Sequence, residues 1–235
     1  MSGRFHVAID ATQATITFDD GGMNLLSAEA LRELRIAISA LADVPVLIFR
    51  SGRPSIFAAG ADMQEMSRFS GEEAERFSEL GQSVFEAIAR LPLLTIAVIE
   101  GDCFGGALDL ALAFDLRLAT LGSRFSHPGS RIGIVTGFGG TARWSSTVHG
   151  AGARRLFLGN EILTVEAARE IGLVDEIVES PAIDVKRFAV RALSEVRLIK
   201  ELTTHTATLT DAQALLLAAR LGQLYSASKD QHGNH

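Results

Sequence analysis

The sequence predicts an α/β fold in which helices cross over between parallel strands, on three observations. Short continuous apolar runs recur, Val46-Leu47-Ile48-Phe49 and Thr95–Ile99 among them, as expected of strands covered on both faces. Between such runs lie stretches whose apolar residues are spaced three and four apart, the signature of a buried helix face. The two patterns alternate along 235 residues, 47% of them hydrophobic, a length that buries one substantial core.

In chain order, Phe5–Asp10 and Ala14–Phe18 are predicted strands joined by a tight turn, since Ile16 and Phe18 alternate with Thr15 and Thr17. Asp19-Asp20-Gly21-Gly22 reads as a turn. Ser27 is a suitable N-cap for a helix carrying Leu31, Leu34, Ile38 and Leu41. After the strand at Val46–Phe49, a helix is expected from about Gly71 to Arg90, with Phe77, Val84, Ile88 and Leu91 inward and Pro92 as its stop. Thr95–Ile99 is the next strand, Ala107–Ala113 a helix, Leu116–Thr120 a strand, and Phe125 lies in a further extended segment. Beyond Gly133 the pattern turns helical. Thr164 caps a helix that Gly172 ends, Glu176–Val178 is a last strand, and Thr210-Asp211-Ala212-Gln213 fits a capping box opening a final apolar helix through Leu216, Leu217, Leu221 and Leu224. The expected organisation is one domain over residues 1–235, with a core over 1–155, a helical region over 156–228 and a loose tail over 229–235.

Composition narrows the function. A net charge of −6 gives no electrostatic grip on nucleic acid, and no dense basic stretch suits an anionic membrane surface. Cys103 is the one cysteine, so neither an intrachain disulfide nor a cysteine-based metal cluster is possible, and a cytoplasmic location is expected. No segment approaches the ~20 apolar residues of a membrane-spanning helix. His6, His149, His205, His232 and His235 have no metal-ligand spacing.

Two glycine-bearing segments carry the chemistry. Phe57-Ala58-Ala59-Gly60-Ala61-Asp62-Met63 is one. Gly101-Asp102-Cys103-Phe104-Gly105-Gly106-Ala107-Leu108-Asp109 is the other, following a buried strand and opening a helix. Small residues there let a ligand approach the backbone, and the N–H groups of a first helical turn are free to meet developing negative charge. Either segment alone is an ordinary glycine turn. Together, with Gly60 and Gly105 45 positions apart, they suit a pair of N–H donors aimed at one oxygen.

In this order the segments resemble the enoyl-CoA hydratase/isomerase (crotonase) superfamily. FAAGADMQEM (Phe57–Met66) is similar to its first oxyanion-hole motif and GDCFGGALDLALAFD (Gly101–Asp115) to its second. RFSHPGSRIGIVTGFGGTARW (Arg124–Trp144) resembles a third block, where the family reads F-x-x-P-E, G-I-x-P and G-G-T-x-R-L. Leu158-Gly159, Ala167-Ala168 and Gly172-Leu173-Val174-Asp175 match a later run, so that the likeness reaches from Val7 to about Gln231. The resemblance implies a spiral of ββα repeats with a helical C-terminal region, a homotrimer or dimer of trimers, and an acyl-CoA thioester as substrate with no other cofactor and no metal. It implies that the backbone N–H groups of Ala61 and Gly106 hold the thioester oxygen of an enolate-like intermediate, with Ala59, Asp62, Gly105 and Gly129 beside the substrate.

The acid–base residues depart from the family. Its first catalytic glutamate falls at Asp109, and its second at Gly129, which has no side chain. Aspartate is one methylene shorter, a loss of reach of roughly 1.5 Å, comparable to displacements that cost catalysis heavily. Ordinary hydration between two carboxylates is therefore not expected. Asp109 also suits a structural role, as an acidic residue in a first helical turn. His127 is a candidate substitute proton carrier: in an extended segment it would share a face with Gly129, which leaves room for an imidazole, although Pro128 disturbs that geometry and a lone histidine equally suits a packed or surface role. Ser130, Arg131 and Thr136 are weaker candidates, and for each a turn or surface role is expected. Gly137-Phe138-Gly139-Gly140-Thr141-Ala142 fits the dinucleotide pattern G-x-G-x-x-A but lies too late in the chain, with no acidic strand end after it. The family normally continues past the Asp230-Gln231 region into a final helix, whereas this sequence ends in Gln231-His232-Gly233-Asn234-His235, so a looser hold on the CoA adenine or altered oligomer contacts are expected. The sequence thus points to an enolate-forming acyl-CoA lyase or isomerase, or a hydrolase or decarboxylase needing fewer acid–base groups. The competing class is a member that binds acyl-CoA or other proteins without catalysis.

Overall fold

The computed structural model describes residues 3–41, 44–134, 136–148, 151–188, 196 and 199–200. It starts with an antiparallel hairpin of β1 (Phe5–Ile9) and β2 (Gln13–Phe18). The Asp10 carboxylate closes the turn by accepting from the N–H groups of Thr12 and Gln13 at 2.7 and 3.0 Å. β3 (Leu25–Leu26) leads into α1 (Ala28–Ser39), whose cap Ser27 accepts from the Ala30 N–H at 3.1 Å. Then come β4 (Val46–Ser51), β5 (Ile56–Ala58), β6 (Gly60–Ala61), the single turn α2 (Met63–Met66) and the long α3 (Gly71–Ala89). A reciprocal capping box of Ser70 and Glu73 starts α3, satisfying two otherwise orphaned donors. Leu91 lies just past the end of this helix and is half-buried.

The pattern repeats as β7 (Leu94–Ile99), β8 (Asp102–Phe104) and α4 (Gly106–Ala111), and again as β9 (Leu116–Thr120), β10 (Arg124–Ser126) and α5 (Gly140–Thr147). α6 (Gly152–Phe157), β11 (Leu163–Thr164), α7 (Val165–Glu170) and β12 (Glu176–Val178) follow. The first strand of each repeat joins a six-stranded sheet, β1-β2-β4-β7-β9-β12, parallel except for the opening hairpin. The second joins a smaller sheet, β11-β10-β8-β5. Splitting consecutive strands between two sheets makes the chain spiral, which is the ββα arrangement expected from the resemblance.

Strands covered on both faces are continuous apolar runs for a visible reason. Leu47 and Phe49 of β4 enter the main core with Phe18, Phe57 and Phe114, while Val46 and Ile48 face a second cluster with Ile96, Val98, Leu118 and Val178. Ile183, Val185 and Phe188 cover that second face.

The boundary expected at 155/156 does not coincide with the end of the spiral. β11 pairs with β10 and β12 with β9, so the residues up to Val178 complete both sheets. The final helix expected from Thr210, the tail, and His149, His205, His232 and His235 lie outside the described residues. Lys200 reaches back to the core, its ammonium 2.8 Å from Asp115, which also accepts from the Thr95 N–H and hydroxyl at 2.8 Å.

Candidate active site

The two glycine segments meet. At Gly60, φ is +94°, and a Cβ there would come within 2.6 Å of the Phe104 carbonyl oxygen and 2.7 Å of the Gly106 nitrogen. Only glycine permits both this conformation and this approach. Gly105 also has positive φ, +56°, and turns the chain into α4. Gly106 is the first residue of that helix, where an N–H has no intrahelical acceptor. The Ala61 nitrogen lies 3.5 Å from the position a Gly106 Cβ would take, so the N–H groups of residues 61 and 106 are neighbours. Asn24, fully buried, fixes the segment before Ala61 by donating to the Phe57 carbonyl at 3.1 Å and the Ser51 hydroxyl at 2.8 Å.

These backbones edge a cavity of about 310 Å³, which Ala59, Ala61, Gly105 and Gly106 line on one side. Met63, Met66, Phe77, Ile134 and Phe138 give it apolar walls. Phe138 is held by edge-on contacts to Phe77 and Phe85, with ring centroids 5.1 and 5.5 Å away, and lies directly over Gly81 of α3, where a Cβ would overlap its ring. A wider crevice of about 410 Å³ between Ser55, Gly101, Asp102 and Arg124 contains neither Ala61 nor Gly106 and neither proton-transfer candidate. The apolar cavity is therefore the candidate site. Among the described residues, no three of His, Cys, Asp and Glu converge as metal ligands, and no helix is long and apolar enough to cross a membrane.

His127 lines this cavity and is 3% exposed. Its ring packs on Phe157 at 4.6 Å between centroids, and its Nδ1 has no hydrogen-bond partner among the described residues. Burial lowers its pKa from the ordinary 6.5, so the imidazole is chiefly neutral at pH 7. The route by which it reaches Gly129 differs from the expected one. Residues Pro128–Ile132 form a 3-10 turn, not an extended segment. The turn folds back so that a Gly129 Cβ would lie 3.0 Å from His127 Cε1 and 2.6 Å from the Ile134 carbonyl oxygen. The imidazole and the Ile134 backbone occupy the volume where a side chain at 129 would start.

Asp109 does not line the cavity. It is fully buried in α4, and the hydroxyl of Thr136, a residue of the cavity wall, donates to its Oδ2. Its Oδ1 rests against Gly140 at the start of α5, where any Cβ would overlap it, and has no hydrogen-bond partner among the described residues. Burial raises the Asp109 pKa from 3.8 to about 7, against the opposing pulls of the Trp144 indole N–H and the Arg143 charge. The indole stops short of hydrogen-bond geometry, since Trp144 Nε1 also lacks a partner among the described residues. The same carboxyl, after burial, helps to push up the thiol of Cys103 on β8.

Gly129 lines the cavity, but Asp62 does not. Its carboxylate caps α2, accepting from the N–H groups of Gln64 and Glu65 at 2.9 and 3.1 Å. Thr136 also departs from its expected turn or surface role, being half-buried on the cavity wall. Arg131 is exposed at the cavity edge, with an N–H 3.4 Å from the Asn160 carbonyl. The available signal for Thr136 was its place just before the Gly-Phe-Gly-Gly run. Those glycines mark close packing: Gly137 sits against Ser78 of α3 and Gly140 against Asp109.

The structure is a ββα-spiral α/β protein in which two backbone N–H groups lie side by side at the edge of an apolar cavity. A model of the enoyl-CoA hydratase/isomerase family matches residues 8–233. The crotonyl-CoA hydratase of Syntrophomonas wolfei is 33% identical over 218 residues, 89% of this chain and 84% of that protein. The mitochondrial methylglutaconyl-CoA hydratase of Mus musculus is 35% identical over 161 residues, 67% of this chain and 51% of that protein, so the match spans about half of that relative. The solved structure of Pseudomonas aeruginosa DspI superposes with a TM-score of 0.85 at 27% identity, covering 96% of this chain and 97% of that one. The chain belongs to the enoyl-CoA hydratase/isomerase family, a family of acyl-CoA enzymes.

Proposed function

We propose that the protein is an enzyme that binds an acyl-CoA thioester with an apolar acyl chain and stabilises its enolate in the 310 Å³ cavity. The observation that carries this reading is the contact between the two glycine segments, which sets the Ala61 and Gly106 N–H groups side by side at the cavity edge. Two fixed donors aimed at the thioester oxygen favour the enolate over the ground state, because charge develops there only as the reaction proceeds. His127, neutral and facing the pocket, is suited to take a proton, and Asp109, half-protonated near pH 7, to give or take another. The supported reactions are a hydratase- or isomerase-type step, and the printed activities of the hydratase relatives favour the first. The absence of a side chain at Gly129 supports the rival, non-catalytic reading.

Incubation of the protein with saturated, 2-enoyl, 3-enoyl and malonyl-type CoA thioesters in deuterated water, followed by mass spectrometry, tests this. The expected result is deuterium uptake or product formation that Ala61→Pro abolishes, because proline removes one of the two donors. Binding of thioesters without exchange or turnover in any of them would establish the non-catalytic reading instead.

A further inference from the structure

We infer that the Thr136 hydroxyl is the group that exchanges a proton with the substrate, and that Asp109 acts only through it, as a proton reserve behind the cavity wall. This rests on the enolate reading above and specifies its acid–base machinery. Asp109 occupies the family's acid–base position, yet its carboxyl is fully buried and lines no part of the cavity. Thr136 does line it, and its hydroxyl is hydrogen-bonded to Asp109 Oδ2. The other oxygen, Oδ1, is shut in by Gly140. Gly106, whose N–H is a proposed oxyanion donor, opens the same one-and-a-half-turn helix that carries Asp109, so the hydroxyl and the donor serve one pocket.

A C–H bond next to the thioester carbonyl breaks, and its electron pair delocalises onto the oxygen held by Ala61 and Gly106. The proton forms a bond to Thr136 Oγ1 as the existing O–H bond of Thr136 breaks and its proton passes to Asp109 Oδ2. Thr136 stays neutral, and the negative charge moves from the buried carboxylate to the enolate. Reversal delivers a proton to the same carbon. The charge leaves a carboxylate whose ionised form burial already disfavours. The charged and titratable groups around Asp109 are Arg143 of α5 and Cys103 of β8. Burial pushes the Cys103 thiol well above its ordinary pKa, so it supplies no competing proton.

The test uses the thioester that exchanges best with the wild-type protein. Thr136→Val keeps the shape of the side chain but removes the hydroxyl, and should slow α-proton exchange by about 100-fold or more, the usual contribution of a positioned proton carrier. Thioester affinity should change less than about threefold. Thr136→Ser should restore exchange to within about tenfold of wild type, and should keep the titration near neutral pH that Asp109→Asn abolishes. Exchange undiminished in Thr136→Val would overturn the relay while leaving the enolate reading intact. So would a Thr136→Ser protein that folds, binds thioester and exchanges no faster than Thr136→Val. A wild-type protein that exchanges no thioester would overturn both.

Discussion

Asp109→Asn isolates a buried carboxyl by a substitution that leaves shape and size nearly unchanged. The folded-state pKa of Asp109 is about 7 against an ordinary 3.8, so between these values the folded protein holds a proton that the unfolded chain has lost. Stability from this group is therefore complete below pH 3.8 and is lost as pH rises through 7. At about 1.4 kcal/mol per pH unit, the wild type should lose roughly 2–3 kcal/mol relative to Asp109→Asn between pH 5 and pH 8. Other titrating groups, His127 included, are common to both proteins and cancel in the difference. Urea unfolding midpoints of the two proteins at equal concentration, from pH 5 to pH 8, provide the measurement. The variant should overtake the wild type as pH rises. A stability difference that stays flat within about 0.5 kcal/mol over this range would refute the buried carboxyl with its unpartnered Oδ1 and imply that water or a cation reaches that oxygen.

Two further substitutions probe the neighbouring glycines. Gly129→Glu, which writes back the family's second carboxylate, should not create a normal hydratase, because its Cβ meets the Ile134 carbonyl at 2.6 Å and the His127 ring at 3.0 Å. Its expected cost is about 1–3 kcal/mol by thermal unfolding, with part recovered when His127→Ala is added; full stability and high 2-enoyl-CoA hydration in the single variant would contradict the packing. Gly140→Ala sets a methyl on Asp109 Oδ1, and should lower both stability and α-proton exchange, while the same change at solvent-facing Gly71, whose Cβ would touch nothing within 4 Å, should leave both alone.

Much of the fold was legible because its elements carry their own patterns. Val46–Phe49 and Thr95–Ile99 are buried on both faces, and so each reads as an unbroken apolar run. Ser27 and Thr164 cap helices where their hydroxyls precede periodic apolar residues. The two-residue strands β3, β6 and β11 were not legible, since two residues have no periodicity and exist as strands only through their partners. The site divides in the same way. Its backbone donors were readable, because a positive φ and a close approach demand glycine at residues 60 and 105. The hidden position of Asp109 was not readable. It depends on a loop 27 residues later bringing Thr136 between the carboxyl and the cavity, and sequence spacing does not encode that contact.

The two departures from the family pattern are each matched by a neighbouring polar group. Where the second carboxylate is missing, the His127 imidazole lies against the bare Gly129 backbone. Where the first is shortened by a methylene, a retreat of roughly 1.5 Å, a hydroxyl from another part of the chain stands between the carboxyl and the pocket. Simple loss of a carboxylate would leave a gap at 129 and an aspartate facing empty space. Here instead a proton acceptor and a proton reserve flank one apolar cavity, one kept neutral by burial and the other brought near neutrality by it. That opposition in proton affinity between a neutral base and a half-protonated acid is what hydration of a double bond requires, one group taking a proton from the attacking water and the other giving one to the α-carbon. It favours an altered catalyst over a decayed one, and it makes the hydroxyl of Thr136 the point at which the two readings separate.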